Sequence, residues 1–225
     1  MKKFALIVAG GSGSRMNNNI PKQFIEINGR PVLMHTFDTF FKYDPNLEFI
    51  LVLPQEHIQL WNSLCKLHRF VLNHKIAFGG NTRFQSVKNG LDKISEEGIV
   101  FIHDGVRPLV SGQTLKNCFE TATEKGNALP VIPVTESVRV KEEKTSRAVD
   151  RSKYFLVQTP QTFRTDIILN AYKQTENNLF TDDASVLESL GETIHMVEGN
   201  RGNIKITFPE DLILAGIYLG KKIVT

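Results

Sequence analysis

A chain of 225 residues is long enough for one α/β domain, and its 41% hydrophobic and 23% charged residues are ordinary for a globular protein with a sizeable core. With 27 basic against 24 acidic residues, the formal charge of +3 argues against a general nucleic-acid binder but leaves room for a local positive pocket serving a polyanionic small molecule. The two cysteines, Cys65 and Cys118, are too few and too isolated for a disulfide framework or a zinc site, and they read as buried thiols of a reducing compartment.

The first predicted strand is Phe4–Val8. Its apolar run stops at Gly10, too soon for the hydrophobic region of a signal peptide, and no cleavage site follows. After it come a helix over Val32–Phe41, a strand at Phe49–Leu53, a helix over Glu56–Leu67 and a strand at Lys75–Phe78. A helix over Thr82–Ile94, a strand at Ile99–His103, a helix over Thr114–Lys125 with Ser111 at its N-cap region, and a strand at Ala128–Val134 continue the alternation. Residues 136–150 break it: apolar and polar residues alternate on either side of the charged tip Glu142–Lys144, the pattern of a hairpin. That hairpin has too few apolar residues for a core of its own and should lie on another surface. The chain returns through Phe155–Phe163, helices at about Asp166–Gln174 and Asp183–Leu190, a strand at Thr193–Glu198, the segment Asn203–Thr207 and a helix from Glu210.

This order predicts an α/β fold, a Rossmann-like three-layer sandwich with a mostly parallel sheet and a projecting β-arm. The whole chain, 1–225, reads as one domain, with the arm at about 136–157. No apolar run approaches the roughly 20 residues that span a bilayer. We therefore expect a cytoplasmic protein with no membrane and no nucleic-acid partner.

The loop after the first strand reads Ala9-Gly10-Gly11-Ser-Gly13-Ser-Arg15-Met16. Its glycines let backbone N–H groups approach an anion, although such a turn can also serve packing alone. It lacks the Gly-Lys-Ser/Thr ending of the P-loop, and Met16 stands where a dinucleotide fingerprint needs glycine or alanine. Arg15 and Lys22, the latter set by Pro21, flank the loop with almost no acidic counter-charge. They are either solvated surface cations or clamps for a triphosphate, stabilising charge that develops in group transfer. A second glycine turn, Phe78-Gly-Gly80-Asn81-Thr-Arg83-Phe-Gln-Ser86, joins a strand end to a helix start, at the usual ligand edge of such sheets. Asp104, at the end of another strand, could meet Mg²⁺ through its oxygens or pair with Arg107 to stiffen a turn. Asp182 and Asp183 read as helix-start carboxylates rather than a metal pair. The six histidines show no metal-ligand spacing, and no Gly-x-Ser-x-Gly elbow is present.

Taken in order, Ala9-Gly-Gly-x-Gly-x-Arg15-Met16 with Pro21-Lys22-Gln23, Gly79-Gly80-x-x-Arg83-x-x-Ser86-Val87 and His103-Asp104-x-x-Arg107-Pro108 resemble the sugar-phosphate nucleotidyltransferases. Most similar is the methylerythritol phosphate cytidylyltransferase family of non-mevalonate isoprenoid synthesis. The likeness continues through Val149-Asp150-Arg151, Gln158-Thr159-Pro-Gln-x-Phe163, Thr181-Asp182-Asp183-Ala184 and Glu198-Gly with Asn203-Ile-Lys205-Ile-Thr207. It implies transfer of CMP from CTP to a sugar phosphate, 2-C-methyl-D-erythritol 4-phosphate, with Mg²⁺ as cofactor. Arg15, Lys22, Arg151 and Lys205 would then be catalytic. Ala9, Gly10, Gly11, Gly13, Gly80, Asn81, Arg83, Ser86 and Asp104 would bind nucleotide, with Asp104 also meeting the metal. Asp104, Gly105, Arg107, Ser137 and Thr159 would meet the acceptor. Asn81 replaces a residue that is often acidic in relatives, and Ser137 replaces a threonine. The resemblance also implies a homodimer that exchanges arms, so that Arg151 serves the partner's site. The rival readings are a ribitol or ribulose phosphate cytidylyltransferase, and an inactive nucleotide-binding regulatory module. The module is disfavoured because Arg15, Lys22 and Lys205 are all present.

Overall fold

The structure, a computed structural model, describes residues 1–10 and 20–220. Strands β1 (Lys2–Val8), β4 (Glu48–Leu53), β5 (His74–Phe78) and β6 (Gly98–Asp104) lie parallel in the order β5-β4-β1-β6. Between β1 and β4 the chain makes a small ladder of β2 (Glu26–Ile27) and β3 (Arg30–Pro31), which the sequence pattern did not predict. Strand β11 (Gln161–Arg164) runs antiparallel between β6 and β7 (Asn127–Pro133), so β7 points the same way as β6. Strands β10 (Phe155–Val157) and β12 (Met196–Glu198) also pair with β7. The returning stretch 155–163 forms two strands, divided at Gln158-Thr159-Pro160 with a cis Thr159–Pro160 bond.

Strand alternation sends successive side chains into different cores. From β1 and β6, Ala5, Ile7, Ile99 and Phe101 join the cluster that contains residues of helices α1 (Val32–Tyr43), α2 (Ile58–Leu67) and α4 (Gly112–Lys125). Phe4, Leu6, Val100 and Ile102 join residues of α3 (Arg83–Leu91), α5 (Thr165–Ala171) and α6 (Asp183–Glu188). The expected three layers follow directly. Helix α7 (Pro209–Gly220) closes a smaller cluster in which Ala215 joins Ile27, Val32, Val106 and Ile206. The N-cap expected at Ser111 holds: its Oγ accepts from Thr114 N at 3.0 Å, and the far end of α4 stops at Gly126 with φ 90°. Cys118 is buried as expected, whereas Cys65 is only half-buried.

The hairpin is present as strands β8 (Arg139–Lys141) and β9 (Ser146–Ala148), which form a separate two-stranded sheet. Its residues are exposed or half-buried, as the shortage of apolar side chains requires. No helix among the described residues is long and apolar enough to cross a membrane.

The chain's single tryptophan, Trp61, is fully buried, with its ring centroid 6.2 Å from Phe24 and 6.0 Å from Phe37. Trp61 Nε1 donates to His74 Nε2 at 3.0 Å, so the His74 proton sits on Nδ1, 2.8 Å from the acceptor Leu72 O. Burial lowers the His74 pKa, outweighing the hydrogen bond to Leu72. A depressed folded pKa means that the unfolded chain takes up the proton first. This stability is therefore complete above the ordinary histidine value of about 6.5 and declines as pH falls below it. Urea midpoints followed by Trp61 fluorescence should drop between pH 7.5 and pH 5.5. The drop should shrink in His74→Gln, which keeps an acceptor without a titrating ring; an equal drop in both proteins would remove His74 from the account.

Candidate active site

Because β1, β4, β5 and β6 are parallel, the loops that follow them gather at one edge of the sheet. Backbone bonds join these loops to neighbouring strand ends. Ala9 N donates to Val52 O at 2.9 Å, Gly79 N to Leu53 O at 2.8 Å and Gly105 N to Val8 O at 2.8 Å. Ala9 and Gly10 lie at this edge, whereas Gly11, Gly13 and Arg15 fall outside the described residues. Gly10 stands against the next loop, since a Cβ there would lie 3.3 Å from Ser86 Oγ.

The second glycine turn is organised by the helix that follows it. Ser86 Oγ accepts from Gly80 N at 3.0 Å, and Gln85 Oε1 accepts from Asn81 N at 3.0 Å. Gln85 is oriented in turn by its Nε2, which donates to Glu176 Oε2 at 3.0 Å. A Cβ on Gly80 would come within 2.3 Å of Gln85 Cβ, so this close approach requires glycine. Thr82 caps the helix by accepting from Gln85 N at 3.1 Å.

Arg83, expected to anchor the loop or the nucleotide, forms a fork with Asp183, at 2.7 and 2.6 Å. Tyr172 adds a hydrogen bond to Asp183 Oδ1 at 2.6 Å, and its ring stacks on Phe84 at 4.7 Å. Burial first, and Asp183 second, push the Tyr172 hydroxyl well above its usual range, so it stays a donor. Arg83 thus ties the glycine turn to α6. Of the two carboxylates read as helix-start groups, Asp182 fills that role in a capping box with Ser185. Asp183 does not; it is the buried counter-charge of Arg83.

Asp104 ends β6, every residue of which is buried. Its Oδ2 lies 3.0 Å from Lys205 Nζ and 3.2 Å from Arg107 Nε. Burial alone would raise its pKa, but Lys205, Arg83 and Arg107 outweigh that effect and hold the carboxyl well below the usual range. Arg107 Nη1 donates to Asn203 O at 2.8 Å, and Ile206 N to Val106 O at 3.0 Å, which lays the segment 203–207 beside the turn after β6. Lys22 then donates to Ile206 O at 2.9 Å. Lys22, Lys205, Arg107 and Asp104 are thereby brought together around one segment. Lys22 is half-buried rather than exposed, because Phe24, two residues on, is buried against Trp61 and His57.

Thr159 belongs to the same cluster: its Oγ1 accepts from Asp104 N at 3.1 Å, and its carbonyl accepts from Asn203 Nδ2 at 2.8 Å. Arg151 and Ser137 do not join it. Arg151 donates to Thr135 O at the base of the hairpin, and Ser137 is exposed just before β8. Among the residues that build the site, sequence reasoning gave no role to Gln23, whose amide donates to Ala9 O at 3.0 Å, or to Asn203 and Gln158. All three stand inside the matched motifs, which was the available signal, but an amide carries no charge to mark it.

Among the described residues no group of three or more metal-ligating side chains occurs, so they form no all-protein metal cage. A single ionised carboxylate does suit a hard cation that arrives with phosphate oxygens and keeps its waters.

Cations outnumber carboxylates around Asp104, a balance suited to polyphosphate. Fold and edge together define a class: an α/β protein built to bind a phosphorylated ligand at the carboxyl ends of its parallel strands. The sequence model of the 2-C-methyl-D-erythritol 4-phosphate cytidylyltransferase family matches residues 4–221. A 2-C-methyl-D-erythritol 4-phosphate cytidylyltransferase from Bacteroides thetaiotaomicron is 48% identical over 219 residues, 97% of this chain and 100% of the relative. One from Bacteroides fragilis is 50% identical with the same coverage. The crystal structure of 4-diphosphocytidyl-2C-methyl-D-erythritol synthase from Anaerococcus prevotii superposes with a TM-score of 0.83 at 28% identity, covering 98% of this chain and 96% of that one. The chain belongs to the 2-C-methyl-D-erythritol 4-phosphate cytidylyltransferase family.

Asp183 is fully buried but Arg83 is 32% exposed, so breaking the pair should cost less than the roughly 3–5 kcal/mol of a fully buried one. Asp183→Asn should still lower the urea midpoint markedly and raise the KM for nucleotide as the glycine turn loosens. Unchanged stability would show that the pair does not hold this edge together.

Proposed function

We propose that the protein transfers CMP from CTP to 2-C-methyl-D-erythritol 4-phosphate, releasing pyrophosphate. The observation that carries this reading is the cluster of Lys22, Lys205 and Arg107 around Asp104, beside the glycine turn at Gly80. The acceptor's phosphate oxygen attacks the α-phosphorus of CTP in line. A P–O bond forms to the acceptor, the bond to the bridging oxygen breaks, and pyrophosphate leaves with that electron pair. The nucleophile is already anionic near neutral pH, so no base is needed. His103, the nearest candidate, is fully buried with both ring nitrogens engaged.

Catalysis then consists of positioning and charge neutralisation. Lys22 and Arg15 meet the triphosphate, and Lys205 with Arg151 holds the incoming phosphate. The glycine turn at Gly80 and Asn81, with Ser86, meets the base. Asp104, Gly105, Arg107, Thr159 and Ser137 face the acceptor. Asp104 would hold Mg²⁺, which supplies neutralisation of the crowded phosphate charge. The names of the relatives favour methylerythritol phosphate over ribitol or ribulose phosphate as acceptor. Unpaired thiols support a cytoplasmic setting.

The same reading makes the protein a homodimer that exchanges arms. Arg151 is bonded at the base of the hairpin, to Thr135 O, and is not one of the residues gathered around Asp104. Tyr154, Phe155, Leu156 and Val157 are all more than 40% exposed along β10, an apolar strip that a second subunit would cover.

A pyrophosphate-release assay crossing the four common nucleotides with methylerythritol, ribitol and ribulose phosphates tests the reaction. CTP with methylerythritol phosphate should exceed the other acceptors by about a hundredfold or more in kcat/KM, and EDTA should abolish turnover. Equal use of a pentose or pentitol phosphate would overturn the acceptor, and full activity in chelator would overturn the metal.

Subunit mixing tests the arm. Lys22→Ala should by itself lower turnover about 10²–10³-fold, the usual loss of one charge partner in the transition state. When it is mixed with Arg151→Ala and allowed to exchange, each heterodimer regains one site with both residues intact. Activity should then return to about a quarter of wild type for random pairing. No recovery despite confirmed exchange would mean that Arg151 serves its own chain.

A further inference from the structure

We infer that His103 is a positioning residue whose imidazole fixes the hydrogen-bond polarity of Thr159 and so holds the backbone from which Asp104 and Arg107 project. The inference rests on the cytidylyl-transfer reading of this site and adds a role that the reaction itself does not require. Arg107 O can only accept, and it lies 2.9 Å from His103 Nε2, so Nε2 carries a proton. The ring is fully buried, and neither nitrogen faces a carboxylate, since Nδ1 meets the Thr159 hydroxyl at 3.0 Å. A neutral ring with its proton on Nε2 has a bare Nδ1, and Thr159 must donate to it. The Thr159 oxygen is then left as an acceptor, and it receives Asp104 N–H at 3.1 Å.

The result is a directed circuit. Asp104 N–H points to Thr159 Oγ1, the Thr159 hydroxyl points to His103 Nδ1, and His103 Nε2–H points to Arg107 O. The circuit closes through the backbone of residues 103–107, whose own bond from Arg107 N to Asp104 O spans 3.1 Å. Asn203 ties its two ends together from outside, donating to Thr159 O and accepting from Arg107 Nη1, both at 2.8 Å. His103 therefore sets the start points of the carboxylate and guanidinium without touching the reacting groups. Were the proton on Nδ1 instead, Nε2 would face the Arg107 carbonyl lone pair to lone pair. The Thr159 oxygen would then receive two donors, and its own proton would be free to rotate.

A double-mutant cycle on the full-length enzyme, with CTP and acceptor varied separately, tests the circuit. His103→Leu and Thr159→Val should each lower kcat/KM for the acceptor about tenfold or more while leaving the KM for CTP within about twofold. The double variant should be no worse than either single one, because both cut the same circuit. His103→Asn, whose amide oxygen can accept from Thr159, and Thr159→Ser, which keeps the hydroxyl, should each recover part of the loss. Additive losses, or equal effects on CTP and acceptor, would overturn the inference. Imidazole ¹⁵N NMR of the wild type supplies a readout that needs neither turnover nor a tolerated substitution. The Nε2–H tautomer is expected, and an Nδ1–H signal for His103 would overturn the circuit. A wild type that shows this tautomer yet turns over no CTP with methylerythritol phosphate would defeat the functional reading while leaving the polarity of Thr159 standing.

Discussion

An ionised carboxylate at the end of a fully buried strand is costly to keep, and much of the site exists to keep one. Burial by itself would push Asp104 toward its neutral form, at several kcal/mol if the charge were left uncompensated. The compensation comes from Lys205 and Arg107 on one oxygen, with Arg83 contributing from further away. Removing any one of these would free part of the desolvation cost. The segment 203–207 carries Lys205 to the carboxylate, and its backbone in turn receives Arg107 and Lys22. Satisfying one buried charge therefore assembles the cationic lining that a polyphosphate needs.

The rest of the fold makes that arrangement stiff. The Lys22 turn is held at its far end by Phe24, which is packed among Trp61 and His57, so a lysine far from the sheet in sequence is anchored by the largest side chain of the core. On the opposite side, the glycine turn at Gly80 is fixed by Gln85 and Ser86 from within its own helix and by the Arg83–Asp183–Tyr172 network from α5 and α6. Each functional loop thus has one anchor in the sheet and another in a helical layer. Such double anchoring suits chemistry in which misplacement by about 1 Å can cost 10²-fold.

The parallel core was legible because strands buried on both faces read as short apolar runs, and β1, β4 and β6 stand within a few residues of where those runs lie. Cap chemistry marked Ser111 for the same reason: it satisfies a local need that only a few residue types meet. Less legible were features set by distant partners. Asp183 looks like a second helix-start carboxylate beside Asp182, and nothing local announces that Arg83, a hundred positions earlier, claims it. Lys22 read as either a solvated cation or a clamp for phosphate, and nothing local shows that Phe24 and the distant carbonyl of Ile206 draw it inward.

One division of labour follows from where the charges sit. Every cation in the Asp104 cluster is held by a backbone carbonyl or a carboxylate of the same chain, so that part of the site is preformed before substrate arrives. Arg151 is different: it is exposed, borne on a short turn after β9, and bonded to the carbonyl of Thr135 within the arm. A body built for rigidity and an arm built with little core of its own impose different constraints on sequence. The body needs buried partners such as Asn203 and His103, while the arm needs only a hairpin and a surface to rest on. The exposed strip along Tyr154–Val157 lies between the two, where the arm rejoins the sheet at β10. In the dimer proposed above, covering that strip would remove apolar surface from water and fix the base of the arm in the same step, coupling assembly to the placement of Arg151.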